Sequence, residues 1–298
     1  MTRLDSERRP VEVYDGKAVG VVVPVYNEER FVGEVIETMP EFVDGVFVVD
    51  DCSDDASWEE ILAHAGEGVQ TAESSTALEP TLTASTARGE ASWPDGGSTE
   101  TQMVVPARHE SNVGRGGAVK TGYDMALENG MDVVAVMDGD GQMDPDNLDA
   151  IVDPVAAGEA GYAKADRLSS GADRGKMPGW RLFGNVLLTG LTKVASGYWD
   201  MRDPQNGYTA ISSDVLERLE YDDLYEGYGF LNDLLIRLGC YGVSVADVPM
   251  DAVYGEETSG IRYRTFVPRL SLLLLRGFLR RVWTKSVWMV SRRTRQTG

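Results

Sequence analysis

Short apolar runs rich in β-branched residues punctuate the first half of the chain, each bounded by polar or turn-forming residues. Ala18–Pro24 (AVGVVVP), Gly45–Asp50 (GVFVVD) and Asp132–Asp138 (DVVAVMD) have the length of buried strands, and Gln102–Pro106 (QMVVP) is a shorter version. Between them, helical patterns cover Glu28–Met39, Ser53–His64 and Gly116–Asn129. Further on the pattern predicts a helix near Asp144–Val155, a strand near Gly161–Ala165, a helix at Trp180–Ala195 and a strand around Tyr208–Ile211. A helix over Gly229–Leu238 and a last strand over Val243–Val248 complete the series. Strands alternating with helices predict an α/β domain whose parallel sheet is covered on both faces. Ligands of such sheets bind at the carboxyl ends of the strands. Here those ends carry Tyr26-Asn27-Glu28, Asp50-Asp51 and Asp138-Gly139-Asp140, so one polar site is expected there.

Residues 65–101 break the pattern, being rich in Ser, Thr, Ala, Gly and Glu with little periodicity. They are expected to form a disordered surface insertion between the second helix and the next strand. No internal repeat or later linker is evident, so the expected organisation is one domain over residues 18–260 followed by a tail, 261–298.

Charge adds a second signal. The 298-residue chain carries 48 acidic and 28 basic residues, a net of −20, with Arg far outnumbering Lys. Such a surface repels nucleic acid and suits solubility in a salt-rich cytoplasm. The tail is the exception: from Arg262 onward it holds ten basic residues and no acid. Leu272–Leu275, Phe278, Leu279, Val282 and Trp283 recur there at helical spacing among Arg269, Arg276, Arg280, Arg281 and Lys285. That pattern predicts a basic amphipathic helix lying in a membrane surface, with docking on the protein's own acidic body as the competing expectation. No run reaches the roughly 18–20 apolar residues of a membrane span, and the N-terminus lacks the apolar core of an export signal. Two cysteines and two histidines exclude a disulfide framework and a histidine-rich metal site.

The densest chemistry lies in Asp138-Gly-Asp140-Gly-Gln142-Met-Asp144-Pro. Carboxylates two residues apart at a strand end, with glycines between, can face one hard cation such as Mg²⁺ or Mn²⁺. An EF-hand is excluded because Met143 stands where that loop needs glycine and an apolar strand precedes Asp138. Gly114-Arg-Gly-Gly-Ala-Val-Lys120-Thr121 imitates a phosphate-binding loop, but Val119 precedes the lysine. Its glycines are expected to let a helix start, at Gly116, pack closely against a bound nucleotide.

Four motifs in order carry a family resemblance: Pro24-Val-Tyr26-Asn27-Glu28, Val49-Asp50-Asp51-Cys-Ser53-Asp54-Asp55, Asn112-Val-Gly114-Arg-Gly116 and Asp138-Gly-Asp140-Gly-Gln142. Together they resemble family 2 glycosyltransferases of the dolichol-phosphate mannose or glucose synthase branch. The resemblance implies a GT-A, Rossmann-like α/β domain with a mixed, mainly parallel sheet and C-terminal amphipathic helices. It also implies an inverting, metal-dependent transfer of sugar from a nucleotide-diphosphate sugar. Pro24, Tyr26, Glu28 and Asp51 would line the base and ribose, supported by Asp50 and Asp54, while Asp138, Asp140 and Gln142 would hold Mg²⁺ or Mn²⁺ and the diphosphate. Arg167 and the segment Arg181–Asn185 resemble the acceptor-phosphate arginines and their neighbouring Asn, and Asp203–Tyr208 resembles the acceptor-sugar wall. Tyr254–Gly260 resembles a loop closing over the diphosphate, with Ser259 beside the acceptor, although Glu257 and Gly260 depart from the family's basic residue and Ser-Lys pair. Asp233 falls where many relatives place a base.

The expected acceptor is a polyprenyl (dolichyl) phosphate at the cytoplasmic face of the membrane. The alternative is a hydroxyl of a lipid-linked glycan, with Asp233 as base. A sugar-phosphate nucleotidyltransferase is disfavoured because Val25-Tyr-Asn-Glu-Glu-Arg30 stands where its glycine-rich loop belongs, and intact Asp138, Asp140 and Gln142 argue against an inactive scaffold.

Overall fold

The computed structural model describes residues 14–65, 72–73, 102–167, 179–227, 229–250 and 270–284. Its centre is β1 (Val19–Val25), flanked by β2 (Gly45–Asp50) and β5 (Val133–Val136), both parallel to it. Outside β2 come β4 (Met103–Arg108) and the two-residue β3 (Ala72–Glu73), again parallel. On the other side β7 (Thr209–Ser212) runs antiparallel to β5 and to β6 (Tyr162–Asp166), and β8 (Val245–Pro249) pairs parallel with β6. The order is β3-β4-β2-β1-β5-β7-β6-β8, a mixed, mostly parallel sheet.

Alternation along each strand divides the core into two layers, because successive side chains leave a strand on opposite faces. Val19, Val21, Val23, Val46, Val48, Val133 and Ala135 face one layer. There they meet α1 (Val32–Glu37), α2 (Ser57–His64) and α4 (Leu148–Ala156) through Val35, Ile61 and Ile151. Val22, Phe47, Val49, Val134 and Val136 face the other, against α3 (Arg115–Glu128), α6 (Ser213–Arg218) and α7 (Phe230–Tyr241). α3 lies so close to β1 that a Cβ on Gly122 would collide with Val22. Each fully buried aliphatic side chain of this kind contributes about 1.5–3 kcal/mol.

A satellite cluster joins α5 (Gly179–Ser196), α7 and a helix at 270–284, α8, through Ala195, Ile236, Leu270 and Leu274. Gly277 allows the close crossing, since a Cβ there would lie 2.6 Å from Ile236 Cδ1. The opposite side of α8 exposes Leu272, Leu275, Leu279 and Trp283 by 57, 55, 57 and 69%. The helix therefore has two apolar faces, one docked and one open, where the sequence suggested a choice between body and membrane.

Several boundaries differ from expectation. α1 starts at Val32 rather than Glu28, and α2 at Ser57 rather than Ser53, because the intervening residues form the loops described below. Ala72–Glu73, inside the segment expected to be disordered, adds a strand to β4 opposite Ala107 and Arg108. α6 was not foreseen; Ser212 caps it, its hydroxyl accepting from the Val215 amide.

Candidate functional site

The carboxyl ends of β1 and β2 lead into two polar loops laced to each other. The Asn27 and Glu28 amides donate to the hydroxyls of Ser53 (2.9 Å) and Ser57 (2.7 Å), and the Asp54 amide donates to Asn27 Oδ1 (2.8 Å). Glu29 and Asp55 exchange similar bonds: the Glu29 amide donates to Asp55, and Glu29 accepts from the Ala56 amide. Asn27 (φ 59°) and Cys52 (φ 63°) occupy left-handed conformations, a strain that clusters at functional sites. On these loops Tyr26 and Asp54 are exposed and Glu28 is half-buried.

Behind these loops two carboxylates are buried. Asp50, fully buried, accepts from the Ser53 amide and hydroxyl, and lies 2.9 Å from Arg108 Nε. Asp51 accepts from His109 Nδ1 (2.8 Å), the Val113 amide (3.0 Å) and the Gly114 amide (2.8 Å). Burial alone would raise the Asp51 pKa, but these donors outweigh it and hold the carboxyl below its usual range. Since a carboxylate only accepts, His109 Nδ1 carries the proton, and in the neutral ring Nε2 accepts from Thr121 Oγ1 at 2.9 Å. Asp51 thus clamps the entry to α3, where Gly114 adopts φ 96°, ψ 159°, a conformation essentially confined to glycine.

The turn after β5 forms the other half. Gly139 N donates to Pro24 O (3.3 Å), tying the turn to β1, and Gly141 takes φ 69°. Asp140 Oδ1 accepts from the Gln142 amide at 3.0 Å. Asp138 Oδ1 lies 2.7 Å from Arg115 Nε, and Arg115 Nη2 donates to the Gly207 carbonyl at 3.2 Å. Desolvation would lower the Arg115 pKa, yet the Asp138 charge raises it. A cavity of about 220 Å³ is lined by Asp138, Asp140, Gln142, Arg167, Asn206 and Tyr208 among others. Arg167 is held there by Asp203, Nε to Oδ2 2.9 Å, and Asn206 bonds the same carboxylate.

The structure thus brings Asp138, Asp140, Gln142 and Arg167 around one cavity, with Asp203 behind the arginine. Other expected residues are placed differently. Pro24 is a buried residue of β1, and Asp50 and Asp51 are buried with their carboxylates on protein donors. Gly116 packs against Glu226: its amide donates to Glu226 O, and a Cβ there would lie 2.6 Å from that oxygen. Asp233 is not at the cavity of Asp138. Its Oδ2 accepts from the Tyr225 amide, its Oδ1 lies 3.9 Å from Arg280, and it lines a separate groove with Leu272, Arg276 and Leu279. Arg181 and Asn185 belong to α5, but their side chains, like all of Ser259, lie outside the described residues. Sequence reasoning missed Arg115 and His109; the one available signal was the arginine between the two glycines of Gly114-Arg-Gly116.

At this cavity the three residues expected to hold a metal, Asp138, Asp140 and Gln142, offer hard oxygens, two carboxylates and an amide. No group of three or more His, Cys, Asp or Glu residues suited to a metal occurs among the described residues. Two carboxylates supplemented by phosphate oxygens and water fit Mg²⁺ or Mn²⁺, which keep part of their shell for such ligands.

Comparison with known proteins accords with this geometry. The chain is 25% identical over 241 residues to the UDP-N-acetylglucosamine–dolichyl-phosphate N-acetylglucosaminyltransferase of Methanococcus voltae, covering 80% of this chain and 87% of that protein. It is 26% identical over 243 residues to the undecaprenyl-phosphate mannosyltransferase of Micrococcus luteus, covering 79% and 83%. The fold matches glucosyl-3-phosphoglycerate synthase from Mycobacterium tuberculosis, solved with Mn²⁺, uridine diphosphate and phosphoglyceric acid, at a TM-score of 0.59 and 18% identity over 92% of this chain and 84% of that one. The family model described as Glycosyl transferase family 2 matches residues 20–74 and 98–220, passing over 75–97 inside the expected insertion. That match spans more than half of the chain, and with the GT-A architecture it establishes that this protein belongs to glycosyl transferase family 2.

Proposed function

We propose that the chain moves a sugar, with inversion, from a nucleotide-diphosphate sugar to a polyprenyl phosphate of the dolichyl type. The observation that carries this reading is the placement of Arg167 in the cavity of Asp138 and Asp140, while Asp233 faces α8. A phosphate monoester has a second pKa near ~6 and is largely dianionic at neutral pH, so it attacks without a base. It needs a cation to orient it and offset its charge, and Arg167, itself aligned by Asp203, is suited to that task. The relatives named for dolichyl and undecaprenyl phosphate support the same acceptor class.

In this reading the base and ribose rest against the loops that carry Tyr26, Glu28 and Asp54. Asp138, Asp140 and Gln142 hold Mg²⁺ or Mn²⁺ with the diphosphate; when bound, the cation supplies charge neutralisation for the departing nucleotide. An acceptor phosphate oxygen forms the new bond to the anomeric carbon as the bond to the nucleotide oxygen breaks, and that oxygen leaves with the electron pair. Arg167→Ala should raise the acceptor KM by about tenfold or more with donor affinity unchanged, whereas Asp233→Asn should leave the chemical step within about threefold. Steady-state kinetics with both substrates varied decides this. A collapse of kcat in Asp233→Asn, with Arg167→Ala neutral, would favour a hydroxyl acceptor.

The open face of α8 supports a peripheral position on the cytoplasmic face of the membrane. No helix among the described residues is long and apolar enough to cross a bilayer, but Leu272, Leu275, Leu279 and Trp283 form an exposed stripe beside Arg276. Such a stripe binds mainly through its apolar area, with arginine adding attraction to anionic lipid at low salt. Leu272→Glu with Leu279→Glu should abolish flotation with anionic liposomes and leave the thermal midpoint nearly unchanged, because both side chains are more than half exposed. Undiminished flotation would remove α8 from the membrane contact.

A further inference from the structure

Arg115 is the cation already seated on a carboxylate proposed above for the metal. Its Nε lies 2.7 Å from Asp138 Oδ1 and its Nη2 is anchored on the Gly207 carbonyl. The seat is built for it. A Cβ on Gly207 would clash with Arg115 Nη2 and approach Asp138 Oδ2 to 3.0 Å, so any larger residue there would push the guanidinium from its present seat. The backbone carrying the guanidinium is equally constrained: Gly114 has φ 96° and Gly116 is held under Glu226 O. A glycine-lined pocket on one side and a glycine-flanked anchor on the other hold one positive charge where a divalent cation would bind.

We propose that Arg115 is a resident counter-cation of Asp138 that excludes free divalent metal, so that metal binds tightly only together with the donor diphosphate. The inference rests on the metal and donor site proposed above. Without donor, an incoming cation must displace the guanidinium or share a carboxylate with it, and like charges a few Å apart repel. A diphosphate brings enough negative charge for both cations, and its oxygens are good partners for a displaced guanidinium. Arg115 acts through Asp138, so it is a positioning residue. Its effect is coupling: metal and donor each strengthen the binding of the other by the same factor.

The test is Mn²⁺ binding to the full-length protein without nucleotide, read as free Mn²⁺ by electron paramagnetic resonance. Arg115→Gln should bind Mn²⁺ about tenfold more tightly than wild type, as the repulsion removed by losing one nearby charge requires. Arg115→Lys, which keeps the charge, should stay closer to wild type. Gly207→Ala, which evicts the guanidinium without deleting it, should shift affinity in the same direction as Arg115→Gln. Arg167→Gln removes a charge from the same cavity but from Asp203, and should give a much smaller gain. Equal or weaker Mn²⁺ binding by Arg115→Gln would overturn the proposal, as would an equal gain from Arg167→Gln, which would assign the effect to the general field. Adding Asp140→Asn to Arg115→Gln separates this from the metal site itself. Loss of Mn²⁺ binding in the double variant with no gain in the single one sinks only the role of Arg115. Binding indifferent to Asp140 sinks the metal assignment and the proposal together.

Discussion

Asp140→Asn should lower turnover about a thousandfold while moving the thermal midpoint by no more than ~2 °C. The two readouts separate because of where Asp140 sits. Its side chain is half-buried beside the cavity, and asparagine keeps an oxygen for the Gln142 amide. The turn itself is set by Gly141 at φ 69° and by the Gly139 bond to Pro24, which the substitution leaves alone. What is lost is a full negative charge in the donor set proposed for Mg²⁺ or Mn²⁺. A transfer assay with thermal unfolding on the same preparation checks both halves. A variant retaining more than about a tenth of wild-type turnover would remove Asp140 from the catalytic cation site, since loss of even one strong electrostatic group exceeds that factor.

The opposite profile is expected at Asp51. Asp51→Ala strands His109 Nδ1 and the Val113 and Gly114 amides beside a nearly inaccessible position. Leaving buried donors such as these without an acceptor costs about 1–3 kcal/mol. Urea unfolding at pH 7 should show a loss of that size, and activity should fall with it because the entry to α3 carries Arg115. The pH dependence has a definite sign. The folded-state pKa of Asp51 is held below the ordinary value of 3.8, so its charged network contributes fully above that value and is lost as pH falls through the folded one. The stability gap between wild type and Asp51→Asn should therefore be wide at pH 5 and narrow toward pH 3. A gap that widens in acid would contradict the assignment of Asp51 as a structural anion.

The strands of the central sheet were legible because β1, β2 and β5 are buried on both faces, and such strands read as continuous Val-rich runs. Helix starts were less so. Between Asn27 and Phe31, and again between Cys52 and Ala56, Ser, Asn and Asp side chains bond backbone amides of the neighbouring loop and compete with the helical turn. β3 was illegible because two residues carry no periodic signal, and its pairing with Ala107–Arg108 is a long-range event. At the site, the Asp138–Gln142 turn could be read locally because its polar residues are adjacent in sequence. The roles of Asp50 and Asp51 could not, since whether a carboxylate faces a crevice or a buried histidine depends on the segment Arg108–Gly114. The surroundings of Asp233 were illegible for the same reason: Arg280, 3.9 Å away, comes from a helix 47 positions further along the chain. The Arg115–Asp138 pair joins two motifs that were each recognised, but only folding brings them into contact.

Polyprenyl phosphate as acceptor is the central claim, and the chemistry of the product tests it most directly. Purified full-length protein is incubated with a panel of labelled nucleotide sugars, polyprenyl phosphate and Mn²⁺, and the organic phase is analysed before and after mild acid. The account predicts label in the organic phase as a glycosyl monophosphate ester, released as free sugar by mild acid and absent when Asp140→Asn replaces the wild type. Label in an acid-resistant glycoside, made equally well without polyprenyl phosphate when a lipid-linked glycan is supplied, would contradict it.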